Sequence, residues 1–164
     1  MHESVYQWTR TIVNKYVLWE GSTLEVGSLD VNGSVRDCFR GWYFGIDQQH
    51  GKGVDLVYDV EDDPPIDVLG YYDNVVSTEM LEHCVRPWRA IHNMTLYMKE
   101  HGSHLLITTR GFETGHFVLH DYPGDFWRFS RFGLAQIVKD EGLYIEELQN
   151  DPDYPGVFLH ARRF

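Results

Sequence analysis

Hydrophobic positions recur along the chain first at helical and then at strand spacing. In ESVYQWTRTIVNKYVLW (residues 3–19), Val5, Trp8, Ile12, Tyr16 and Trp19 fall three or four apart, which predicts an N-terminal helix with one apolar stripe. Shorter apolar runs follow in TLEV, WYFGID, GVDLVYDV, YDNVVST and SHLLITT. Each is rich in β-branched or aromatic residues and bounded by Gly, Pro or Asp, so five strands are expected. A short helix is expected in GSVRDCF, entered through Asn32 or Ser34. In RPWRAIHNMTLYMKEHG, Trp88, Ile91, Met94 and Met98 make a helical stripe behind Pro87, and Gly102 suits the position just past the end. FGLAQIVKDEG predicts another helix, and LYIEEL and VFLHARR, separated by QNDPDYPG, predict a closing antiparallel hairpin.

Strands alternating with helices imply right-handed crossovers. The expected class is therefore α/β: a doubly wound, mostly parallel seven-stranded sheet with helices on both faces and a C-terminal antiparallel hairpin. Residues 1–164 read as a single domain, with residues 1–20 as its N-terminal helix. The long irregular piece, residues 110–130, has a length that in a compact domain usually accompanies function.

Composition narrows the partners. With 14 Lys plus Arg against 25 Asp plus Glu, the 164-residue chain carries a net charge of −11, which disfavours nucleic acid. Cys38 and Cys84 are its two cysteines, the N-terminus has no basic stretch followed by an apolar one, and no apolar run reaches membrane-spanning length. A cytoplasmic protein with no membrane partner is expected, its thiols serving packing.

In a doubly wound sheet, ligands lie beyond the carboxyl ends of the strands, beside the first one. GSLDVNG falls there. Gly27 lets a ligand approach the backbone and Gly33 permits a conformation closed to other residues. Twenty residues after Gly27, Asp47 ends the second strand, where a carboxylate can accept hydrogen bonds from both hydroxyls of a ribose. The plainer alternative is an ordinary strand-to-helix turn with Asp47 as a cap. A nicotinamide cofactor is disfavoured because GxGxxG is absent, with Leu29 and Val31 standing where a pyrophosphate would want glycines.

LEVGSLDVNGS, YFGIDQQHGKGVDLVYDV, YDNVVSTEMLEHCVRPWRAI and HLLITTRGF, in that order over nearly the whole chain, resemble the class I S-adenosylmethionine-dependent methyltransferases of the small type-11 group. The resemblance implies a Rossmann-like methyltransferase fold, S-adenosyl-L-methionine as cofactor and S-adenosyl-L-homocysteine as product. By position it places Glu25 near the methionine amino group, and Gly27 and Ser28 under the cofactor. It sets Asp47 and Gln48 at the ribose, Asp59 and Val60 at the adenine, and Ser77, Thr78 and Glu79 at the methyl end. The chain departs from the pattern where SLDVNG replaces the second and third family glycines.

Methyl transfer is an in-line displacement, so alignment carries much of the catalysis and a base is needed only if the nucleophile must lose a proton. Candidates for that proton are His83, His116 and His120, because histidine titrates near neutrality. Substrate contacts are expected from a lid containing His116, His120, Asp121, Tyr122, Trp127 and Arg128, though Trp127 and Phe129 also suit a core. Glu113, His116, His120 and Asp121 are spaced too loosely for a zinc signature, and no metal is expected. The acceptor is expected to be a small molecule, a sugar or a protein side chain, and a homodimer or a partner subunit is allowed. Two rival classes stand beside the enzyme: a cofactor-binding scaffold or regulatory subunit that needs a partner and presents an apolar patch, and a nucleotide-dependent reductase.

Overall fold

The computed structural model describes residues 2–112 and 124–164. Its seven strands are β1 (Thr23–Val26), β2 (Tyr43–Asp47), β3 (Leu56–Val57), β4 (Asn74–Thr78), β5 (His104–Arg110), β6 (Tyr144–Asn150) and β7 (Gly156–Arg162). They form one sheet in the order β3-β2-β1-β4-β5-β7-β6. The first five run parallel, and β7 lies antiparallel between β5 and β6. The strand order reverses between β1 and β4, and in such sheets ligands bind beyond the carboxyl ends of the strands at that point.

Consecutive apolar residues on the central strands feed two cores, because alternate side chains leave opposite faces. Val76, Leu106 and Phe158 pack under Val5, Trp8, Ile12 and Val13 of α1 (Glu3–Tyr16). Their neighbours Val75, Leu105, Ile107 and Leu159 pack under Ile91 and Met94 of α2 (Pro87–Tyr97) and Leu134 and Val138 of α3 (Arg131–Asp140). Helices thus cover both faces, as expected. Ser130 caps α3 by accepting the Gly133 N–H.

Several elements are shorter than their patterns suggest. α1 stops at Val17, whose left-handed backbone (φ 60°) turns the chain into a 3₁₀ turn holding Trp19. The helix expected in GSVRDCF is a single 3₁₀ turn at Arg36–Cys38. Val35 and Phe39 are drawn into the core under α1, and the Arg40 and Gly41 N–H groups donate to the Trp19 carbonyl, so long-range contacts fix this segment. β3 keeps two of its eight expected residues, because the Asp59 carboxylate accepts the Glu61 N–H and folds the chain into a turn. The path from β3 to β4 has one 3₁₀ turn (Ile66–Val68) and no α-helix, so helices alternate with strands only in the second half. α2 ends at Tyr97 rather than beside Gly102: Met98 bridges to Tyr72, and the Lys99 N–H donates to the Tyr72 carbonyl.

Candidate active site

The strand-one motif ends in a tight crossing. Gly27 has φ 81°, and a Cβ there would lie 2.5 Å from Cγ and 2.7 Å from Cβ of Met80. Its missing side chain therefore leaves room for the chain leaving β4. The residues that stand in place of further glycines find their space on the β2 side. A Cβ on Gly45 would meet Ser28 Oγ at 2.6 Å, one on Gly51 would meet Leu29 Cδ1 at 2.3 Å, and one on Gly53 would meet the Ser28 carbonyl at 2.5 Å. The bulk of Ser28 and Leu29 is accommodated by three glycines of YFGIDQQHGKG.

Asp47, half-buried at the end of β2, ties these loops together. Its Oδ2 accepts the Leu29 N–H (3.2 Å) and its Oδ1 the Gln49 N–H (2.9 Å), so it acts as a backbone cap. Each oxygen keeps a second lone pair for a hydroxyl. Gln48 beside it is exposed. Glu25 is 3% exposed, and its Oε2 has no hydrogen-bond partner. Burial pushes its carboxyl up to about 7, which the Tyr43 hydroxyl and the Arg36 charge only partly offset.

Asp59 and Val60 sit in the turn after β3. The Asn93 amide of α2 holds that turn from below by donating to the Val60 and Asp62 carbonyls, at 2.7 Å each. Glu61, which the sequence reading passed over, is buried and joins the same turn to the start of α2. Its carboxylate accepts the Val85 N–H at 2.7 Å, the Arg86 N–H at 3.2 Å and Arg86 Nε at 3.0 Å. An acid at a helix start is favoured by the helix dipole, and the (i, i+2) position after Asp59 was the available signal.

Beyond β4 lies a group of acids. Ser77 is buried, Thr78 half-buried, and Glu79 has a left-handed backbone (φ 52°) with its N–H bonded to the Thr108 carbonyl. Glu79 Oε2 is 3.6 Å from Arg110 Nε. Glu82, buried deeper, accepts the Thr109 hydroxyl at 2.8 Å, and its carbonyl accepts the Phe126 and Trp127 N–H groups. Burial and the neighbouring Glu82 push Glu79 up to about 7, with Arg110 pulling the other way. Burial also raises Glu82. Trp127 donates its indole N–H to the Cys84 carbonyl (2.9 Å) and meets Trp88 edge-on, while Arg128 grips Asp125 through two hydrogen bonds.

Of the candidate bases, His83 is exposed, with Nδ1 3.0 Å from the Gly124 carbonyl. His116, His120, Asp121 and Tyr122, with Glu113, lie outside the described residues. Phe129 belongs to the core. No group of three or more metal-binding side chains occurs among the described residues. Cys84 is buried and Cys38 half-buried, and burial drives their thiols up to about 12 and about 11, as suits packing residues.

The Ser77, Ser28 and Thr108 hydroxyls, like Glu25 Oε2, are buried without a hydrogen-bond partner, on β4, in the strand-one turn, on β5 and on β1, and others of this kind occur at Trp8, Tyr43, His160 and Arg162. Buried polar groups are ordinarily paired, and such atoms are donors and acceptors suited to a polar ligand.

No protein-family model matches the chain, and no curated protein matches it. Solved structures do. One is the Burkholderia thailandensis 1,6-didemethyltoxoflavin-N1-methyltransferase with 1,6-didemethyltoxoflavin and S-adenosylhomocysteine bound, at 11% identity over 98% of this chain and 79% of that one, TM-score 0.77. Another is the magnesium protoporphyrin IX methyltransferase of Synechocystis PCC 6803 with S-adenosylmethionine bound, at 16% identity over 98% and 80% of the two chains, TM-score 0.68. A third belongs to a complex that contains the Haloferax volcanii Trm112 methyltransferase activator, at 15% identity over 94% and 88%, TM-score 0.69. Strand order, antiparallel β7 and these likenesses together show that the chain has the Rossmann-like fold of the class I S-adenosylmethionine-dependent methyltransferases.

Proposed function

We propose that the protein is an S-adenosylmethionine-dependent methyltransferase built as a single domain. Glu25, Gly27, Ser28, Asp47, Gln48, Asp59, Val60, Ser77, Thr78 and Glu79 would hold the cofactor. The observation that carries this reading is the set of buried polar atoms without partners on β1, on β4, on β5 and in the strand-one turn, on the fold of enzymes crystallised with this cofactor. The cofactor would supply an electrophilic methyl group. Asp47 would accept ribose hydroxyls with the lone pairs left by its two backbone bonds, and Val60 would offer its backbone to the adenine edge.

At the methyl end, Glu79 joins His83, His116 and His120 as a group that could take a proton from the acceptor, because its carboxyl is held near neutrality. The acceptor would be a small molecule, a sugar or a protein side chain, entering by residues 110–130 past Trp127 and Arg128. The acidic surface argues against nucleic acid, and no helix of the described residues is long and apolar enough to cross a membrane. Calorimetric titration with S-adenosylmethionine and S-adenosylhomocysteine, beside Asp47→Ala, tests the reading. Micromolar binding lost in the variant supports it, and no binding to the intact protein defeats it.

A partner-dependent subunit is the second reading, and one surface favours it. Leu56 and Val57 are exposed on the open β3 edge, and Trp42 and Tyr71, in edge-on ring contact with each other, are exposed as well. Asp55, Asp62, Asp63 and Asp67 are exposed before and after β3, so a basic, apolar partner would suit that surface.

A further inference from the structure

Glu79 occupies a constrained place. A non-glycine residue with φ near 52° is uncommon, and such strain gathers at functional sites. The Thr108 carbonyl fixes its N–H, and Met80 next to it lies against Gly27. The strand-four turn is thereby held beside the strand-one glycine, in the middle of the cofactor site proposed above. The Glu79 side chain is 19% exposed. Groups facing it come from three directions: Glu82 from its own turn, Thr108 and Arg110 from β5, and Asp151 from the β6–β7 turn. Glu82 is itself faced by the Thr109 hydroxyl and Arg128.

Arg110 supplies one positive charge to two buried carboxylates. These three side chains by themselves sum to zero when one acid is protonated and to one negative charge when both are ionised. A cation arriving there is attracted only to the second state, whereas a neutral ligand of the same shape gains little from it. Methyl transfer makes that difference, since the cofactor enters as a sulfonium cation and the product leaves as a neutral thioether.

On the reading that the site holds S-adenosylmethionine, we propose that Glu79 is the residue by which the site tells the cationic cofactor from its neutral product. Ionised, it favours the incoming sulfonium. Once the charge is gone it loses that attraction, which promotes release of the product.

The test uses calorimetry on the intact protein and Glu79→Gln, with S-adenosylmethionine and S-adenosylhomocysteine at pH 6 and pH 8. Both ligands share the amino-acid tail, so taking the ratio of their affinities cancels its titration. The ratio should rise about fivefold with pH in the intact protein and stay flat in Glu79→Gln. Equal ratios at both pH values in the intact protein would overturn the proposal while leaving the cofactor reading in place. Failure of either ligand to bind would remove the cofactor reading itself. Should Glu79→Gln not fold, carbon-13 NMR of the glutamate carboxyls in the intact protein decides: the Glu79 midpoint should fall with S-adenosylmethionine and hold with S-adenosylhomocysteine, and a midpoint indifferent to both sinks the idea.

Discussion

The side-chain amide of Asn93 donates to the carbonyl of Val60 at 2.7 Å, joining the middle of α2 to the turn after β3, and the same nitrogen reaches the Asp62 carbonyl at 2.7 Å. Asn93 and Val60 are both buried, so losing the amide leaves two backbone acceptors unpaired. Asn93→Leu should lower the unfolding free energy by about 2–4 kcal/mol in urea titrations. It should also weaken S-adenosylhomocysteine binding more than it weakens the fold, because the freed turn carries Asp59 and Val60.

Gly27 carries two constraints at once, a left-handed backbone and the contact with Met80. Gly27→Ala should cost about 1 kcal/mol for the backbone and more for the overlap. Adding Met80→Ala should relieve the Cγ contact alone, because the Cβ it keeps would still lie 2.7 Å from the new methyl, so recovery should be partial. Thermal melts of the two variants separate the contributions, and full recovery would show that the positive φ is unimportant.

Glu25 should make the protein less stable as pH rises. Its carboxyl titrates near 7 in the folded chain against 4.5 when unfolded, so between those values the folded state binds the extra proton. Stability then falls through this window, and the deficit is complete above pH 7 at roughly 3–4 kcal/mol at most. Glu25→Gln should accordingly raise the urea midpoint at pH 8, change it little at pH 4.5, and reduce cofactor affinity. A variant less stable than the parent at pH 8 would contradict the sign.

His104 and His160 work in the opposite direction. Their rings stack, with His104 Nδ1 2.9 Å from His160 Nε2, and Tyr16 packs edge-on to His160. Burial and the Arg162 charge hold His104 down to about 4. Burial, His104 and Arg162 hold His160 down to about 3. Both are neutral when folded but gain protons below about 6.5 when unfolded. Stability is therefore full above pH 6.5 and falls as pH drops toward 4, with a slope on the order of 1 kcal/mol per pH unit for each ring. His160→Gln should flatten that acid limb in a series of melts from pH 7 to pH 4.

Element type was readable wherever local periodicity and burial agree. Val75 beside Val76 and Leu105 beside Leu106 read as strands covered on both faces, and each pair does split between the two cores. The α2 stripe through Ile91 and Met94 was equally plain, but Trp88 at its start stays exposed beside Trp127, and its end was not readable. Met98 continues the helical spacing, yet it leaves the helix to bridge Tyr72. The same holds for Arg36–Cys38, where pairing with the Trp19 carbonyl outcompetes helix propagation that a few residues cannot sustain.

The order of the acids along the chain was likewise a property of the sequence: Glu25 inside β1, Asp47 ending β2, and Glu79 one residue past β4. Spacing and hydrophobic pattern determine which strand each acid belongs to, because both are local. What each acid experiences is set by residues distant in sequence. Burial raises Glu25, Glu82 and Arg110 pull Glu79 in opposite directions, and Glu61 meets Val85 and Arg86 from the far side of β4 in the chain. The glycine exchange belongs to that second kind. The strand-one turn does without further glycines at Ser28 and Leu29 only because Gly45, Gly51 and Gly53 make room for them from the neighbouring strand and loop, a steric match between segments that no single stretch of sequence contains.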